Sequence, residues 1–234
     1  MKSNYRYIVK AFMAMAVIAG TTSCDDFLDR EPMSSISPET YYSTAAQLEA
    51  NLNDEYPNVL PSFGQWTYGI FGEDKGTDNQ IEVNANDRYT QDRWKVPHSE
   101  SDNWKFERIY RINLFLSEAL PKFGEDMSGS QNTISGSVAT IKHYIGEMYF
   151  LRAYEYFKKL QLFGDFPIID QPLADEMEAL REASKRFPRN EVARFIISDL
   201  DKAYAYMSDV DMATTRINKD AAMLVKSRVA LFEA

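Results

Sequence analysis

The chain has 234 residues, enough for one large domain or two small ones, and a formal net charge of −9. Its 44% hydrophobic and 26% charged residues are the balance of an ordinary globular protein. No run of basic residues offsets the acidity, so nucleic acid is excluded as a natural partner and electrostatic attachment to anionic lipid is disfavoured.

Residues 1–23 read as an export signal. Lys2, Arg6 and Lys10 make a positive start, and Ala11 to Gly20 is an apolar run too short to span a membrane. Thr21, Thr22 and Ser23 are small, and Cys24 follows as the only cysteine, so it has no internal disulfide partner. The arrangement resembles a bacterial lipobox, with Thr21 in place of the usual leucine. Cys24 is therefore expected to become residue one, diacylated and palmitate-bearing. Residues 24–37 then form an acidic tether. Asp25, Asp26 and Asp29 resemble the surface-export signal of lipoproteins from Gram-negative glycan foragers. Acyl chains anchor through about 0.8 kcal/mol per buried methylene. The expected membrane attachment is by the lipid alone.

The remainder, 38–234, is predicted to be helical. Ser37 and Pro38 signal a helix start, and a helix over 43–56 is ended by Pro57 and Pro61. Residues 62–101 carry four glycines, several asparagines and no sustained period, and read as a long ordered loop of the kind that usually has a function. Only Ile81 to Val83 suggests a strand. A second helix runs over 102–120, capped by Ser101 and closed by Pro121 and Gly124. A third, over 137–162, is apolar on most sides and is expected to be buried between others, until Gly164 and Pro167 stop it. A short helix falls within 173–187, a fourth long one runs over 190–206, and a fifth runs from Asn218 to the last residue without a stop signal, so the chain reads as truncated. The fold class is all-α: tetratricopeptide-like helical repeats with a long N-terminal loop insertion.

Five segments in order resemble the SusD/RagB family of outer-membrane nutrient-uptake lipoproteins. Arg152-Ala153-Tyr154-Glu155-Tyr156-Phe157 through Gly164-Asp165-Phe166-Pro167 is similar to its "RA-x-x-YF-x-L … G-x-x-P" segment. Trp104, Tyr110, Ile112 and Asn113 resemble its "W … Y-x-x-I-x-x-x-N" helix. Glu191-Val192, Ile196 to Leu200 and Ala203 resemble "EV-x-x-x-I-x-x-DL-x-x-A". Arg216 to Ala222 and Arg228 to Leu231 resemble "GR-x-x-K-x-A-A … A-R-x-x-L-Y", with Thr215 for the usual glycine, and the leader C-D-D-F-L-D-R-E-P also fits. The resemblance implies helical pairs, a lipid-anchored outer-membrane protein exposed at the cell surface, and capture of a nutrient, commonly a glycan, for a SusC-like TonB-dependent transporter, without catalysis and without a cofactor. It also implies a full-length protein about twice this long. The alternative reading is a helical-repeat docking module for the transporter with no ligand of its own.

Sugar rings stack their C–H faces on aromatics and need polar partners for their hydroxyls. In the 62–101 loop, Trp66, Tyr89 and Trp94 supply flat faces, and Asn86, Arg88 and Arg93 supply hydrogen bonds. These six are the candidate ligand contacts. Asp74, Asp78 and Glu82 lack calcium-loop spacing, and His98 and His143 lack metal-ligand spacing, so no metal site is expected. No nucleophile elbow or phosphate loop is present, and no catalytic residue is assigned. Arg152, on the buried third helix, is expected to pair with a carboxylate or a loop carbonyl, and Trp104 to lie in the core.

Overall fold

The computed structural model describes residues 41–61, 103–208 and 215–234. Among the described residues six helices are defined: α1 (Ala45–Val59), α2 (Glu107–Phe123), α3 (Val138–Phe163), α4 (Met177–Ala183), α5 (Arg189–Tyr206) and α6 (Lys219–Glu233). Among the described residues there is no strand, only two isolated bridges. The all-α expectation holds, and each predicted helix is found. The signal and tether (1–37), the loop over 62–101 with Ile81–Val83, and the Ser101 cap lie outside the described residues.

Four boundaries differ from expectation. Helix α1 begins at a capping box the pattern reading overlooked: Thr44 Oγ1 accepts from the Gln47 amide at 3.2 Å while Gln47 Oε1 accepts from the Thr44 amide at 3.0 Å. It also runs through Pro57, and α2 runs through Pro121. A proline in the last turn forfeits one ladder bond but does not unwind the residues after it. Helix α2 starts at Glu107, later than expected, because Trp104 and Phe106 are drawn out of helical geometry into an aromatic cluster. Trp104 meets Phe163 and Phe166 edge-on at 4.8 and 4.9 Å, and Phe106 stacks on Phe166 at 5.2 Å. The Arg186 guanidinium sits 4.7 Å over the Trp104 ring. Trp104 thus packs against other rings, half-buried at the edge of the core and outside the helix.

Helix α3 is the central element. It packs on α1, α2 and α5, touches α6, and buries residues on every side. Gly146 makes its approach to α5 possible: a Cβ there would lie 3.0 Å from the Met207 amide nitrogen and 3.1 Å from the Ala203 carbonyl oxygen. Gly164, at φ 68°, ends α3 in the left-handed region, where side chains are disfavoured. Phe166 and Phe187 then pair through two backbone hydrogen bonds of 3.2 and 3.1 Å, closing the base of the segment that carries α4. Helix α4 has no buried residue. Asn218 caps α6, its Oδ1 accepting from the Ala221 amide at 3.0 Å.

Candidate functional site

The six loop residues read as ligand contacts, Trp66, Asn86, Arg88, Tyr89, Arg93 and Trp94, and the acylation site Cys24, lie outside the described residues. The described part of the molecule contributes a buried polar frame and an open groove beside it.

The frame centres on Arg152, on the inner face of α3. Its Nε donates to Asp199 Oδ2 at 2.6 Å and its Nη2 to Oδ1 at 2.9 Å, a two-pronged pairing with α5. Its Nη1 donates to Asn113 Oδ1 on α2 at 2.9 Å and to the Asp170 carbonyl at 3.0 Å. The expected carboxylate and the expected loop carbonyl are both present. Asn113 Nδ2 donates to the Ile169 carbonyl at 2.9 Å. The Tyr156 hydroxyl donates to the Ile169 carbonyl at 3.0 Å and accepts from the Ile169 amide at 2.8 Å. Residues 169–171 are therefore strapped to α2 and α3, and Arg152 links them on to α5. Burial would favour loss of the Arg152 proton, but the hydrogen bonds and charge of Asp199 outweigh it and raise its pKa. Burial also raises the Tyr156 phenol.

The groove, of about 430 Å³, opens between the end of α2, this strap and the C-terminal turns of α5. The rings of Tyr149 and Tyr206 meet at 5.8 Å and 63°, with Lys202 Nζ 4.9 Å over Tyr149 and Lys142 Nζ 5.6 Å over Tyr206. Glu125, Asp170 and Gln171 add acceptors and donors on its walls. Burial pushes the Tyr149 phenol up to about 12, so it stays a hydroxyl donor. Flat faces beside dense hydrogen-bonding groups suit a polyhydroxy ligand.

A second buried network, which pattern reading did not find, lies on the other side of α3. Glu147 accepts from Arg216 Nε at 2.7 Å, Arg216 Nη2 at 2.6 Å and the Tyr56 hydroxyl at 2.7 Å. His143 Nε2 stands 2.8 Å from Glu147 Oε1, close but poorly aligned for a hydrogen bond, and its Nδ1 accepts from the Ser208 amide at 2.9 Å. Arg216 also reaches Asn53 Oδ1 at 3.1 Å and lies 4.7 Å over the Tyr144 ring. Burial alone would raise the Glu147 pKa, but the close His143 nitrogen and the hydrogen bonds from Arg216 and Tyr56 hold it below the ordinary carboxylate value. The only sequence signal was an acid, Glu147, on a helix otherwise fit for burial. His143 thus serves this network, and among the described residues no cluster suited to a metal ion occurs.

Comparison with known families resolves what this scaffold is. A SusD-like family model, described as starch-binding associating with outer membrane, matches residues 26–231. The chain belongs to the SusD-like family. SusD-like protein P2 of Formosa agariphila is 26% identical over 238 aligned residues, covering 97% of this chain and 43% of the relative. SusD-like protein P25 of the same organism is 25% identical, covering 90% of this chain and 40% of the relative. The chain thus spans about two-fifths of the length of these relatives. Among solved structures, a SusD-like protein from Bacteroides fragilis superposes with TM-score 0.63 at 22% identity, over 87% of this chain and 38% of its own. Surface glycan-binding protein A from Bacteroides uniformis superposes with TM-score 0.56 at 19% identity, over 81% and 42%. These likenesses establish the SusD-like helical fold. Among the described residues no helix is long and apolar enough to cross a membrane.

Proposed function

We propose that the protein is a non-catalytic, cell-surface glycan-capture lipoprotein, tethered to the outer membrane through acylated Cys24, that hands its ligand to a SusC-like TonB-dependent transporter. The observation that carries the reading is the family match over 26–231, whose description joins starch binding to the outer membrane. The solved relative from Bacteroides uniformis, named as a surface glycan-binding protein, supports it. Ligand contact is assigned to Trp94, Trp66 and Tyr89 as stacking platforms and to Asn86, Arg88 and Arg93 as polar partners. The Tyr149–Tyr206 groove adds a further face.

The test is glycan-array screening of the 234-residue chain followed by calorimetry on the best ligand. Trp94→Ala is expected to weaken binding by at least about tenfold, about 1.4 kcal/mol, with an unchanged circular dichroism melt. Full affinity in the folded variant would remove Trp94 from the site. Silence across the array would favour the docking-module alternative, and turnover of a labelled oligosaccharide would overturn the non-catalytic assignment.

A further inference from the structure

A second cavity, of about 450 Å³, lies between the start of α2 and the C-terminal half of α3. Its size suits a sugar ring bearing a substituent. Glu155 stands in its wall with a side chain only 3% exposed. Three cations share this one carboxylate: Arg108 Nη1 at 3.7 Å and Lys158 Nζ at 3.5 Å from Oε2, and Lys159 Nζ at 3.4 Å from Oε1. All three lie at the loose end of the ion-pair range. Lys159 and Lys158 turn further donors to the backbone carbonyls of Asn103 and Val59. Lys105, Glu107 and Leu162 also line it.

Among the described residues the cavity therefore gathers four cations and two carboxylates, in a protein whose net charge is −9. Side chains from the lead-in to α2, from α2 and from α3 make this concentration, so no run of basic residues announces it. Clustered cations repel one another unless a counter-charge faces them. Lys158 registers the cost: burial pulls its pKa down, and the neighbouring Arg108 and Lys159 pull it further, although Glu155 opposes them. The acidity of the rest of the surface acts only across about a Debye length, about 8 Å at physiological salt, so the pocket keeps a local field of its own sign.

We propose that this pocket binds an oxyanion substituent on a sugar, the carboxylate of a uronic acid or a sulfate ester, with Arg108, Lys158 and Lys159 as its donors. The sugar part rests on the glycan-capture reading, and the anion part rests on the pocket itself. The protein is thereby selective for acidic over neutral glycans.

The experiment uses the 234-residue chain and two variants, Arg108→Gln and Arg108→Glu. The Arg108 side chain is 49% exposed, so neither change disturbs the core. Calorimetry compares a neutral oligosaccharide with a uronate-containing one of equal length, at low and raised salt. Sodium sulfate is titrated separately by NMR. The acidic sugar is expected to bind at least about tenfold more tightly, about 1.4 kcal/mol, with a preference that shrinks as salt rises. Both variants should lose most of that preference, Arg108→Glu more than Arg108→Gln, with the circular dichroism melt unchanged. Equal affinity for the two sugars, or a preference untouched in both variants, overturns the proposal. If neither sugar binds, it is the glycan reading that fails, and sulfate decides the pocket. Shifts at Lys158 and Lys159 that Arg108→Glu abolishes sustain an anion site, and no sulfate response overturns it.

Discussion

Arg152 sits where four pieces of chain meet, with Asp199 from α5, Asn113 from α2 and the Asp170 carbonyl all within 3.0 Å of its guanidinium. Tyr149 and Phe195 cover its faces, each 5.2 Å away. Such a group is satisfied only as a set. Removing one partner leaves the other charge buried and alone, at about 3–5 kcal/mol. Arg152→Met is therefore expected to lower unfolding free energy in urea by that amount. Arg152→Lys should recover little, because an ammonium cannot span both oxygens of Asp199 and also reach the strap. The double variant with Asp199→Leu should be more stable than the sum of the single losses predicts, by about 0.5–3 kcal/mol in a double-mutant cycle. A loss below 1 kcal/mol for Arg152→Met would mean that water or rearrangement satisfies Asp199 and that the pair does not hold the strap.

The helices pack closely enough that one methyl group is felt. At Gly146 the nearest atoms to an added Cβ are backbone atoms of the end of α5, which cannot rotate away as a side chain would. Alanine is the better helix former by about 1 kcal/mol, but forcing α3 and α5 apart costs about 1–3 kcal/mol. Gly146→Ala is expected to lower the thermal midpoint, and a raised midpoint would show that α5 can shift at no cost. The helices themselves were legible because apolar spacing repeats locally, as with Val192, Ile196 and Leu200 on the buried side of α5. Their ends were less so. Pro57 and Pro121 looked like stops because position within a turn is invisible to a rule about residue type. The start of α2 was misplaced because Trp104 and Phe106 answer to Phe166, about 60 residues away, and not to their neighbours.

Long-range pairing also sets what could be read of the site. Arg152 was foreseeable, since a cation on a helix buried all round must find an acid or a carbonyl. The bond between Glu147 and Arg216 joins residues 69 positions apart, and nothing in the spacing announces it. Yet it ties α1, α3 and the lead-in to α6 together through Tyr56, whose hydroxyl also accepts from the Ile217 amide at 3.1 Å. Its consequence is an acid sensitivity with a definite sign. The folded-state pKa of Glu147 lies below its ordinary value of 4.5. The network's contribution is thus fully present above about pH 4.5 and is lost as pH falls through the depressed value. Glu147→Gln removes the charge and leaves Arg216 without its buried partner. At pH 7 the variant should be less stable by about 3–5 kcal/mol. Below about pH 4.5 the gap between variant and wild type should close, since the wild type is then protonating the same carboxyl. Glu55 titrates in the opposite sense, its pKa raised chiefly by burial, but it is common to both proteins and cancels from the difference. Urea unfolding of the pair from pH 7 to pH 3 measures that gap directly, and a gap that stays constant across the range would place the cost of the substitution in packing and not in charge.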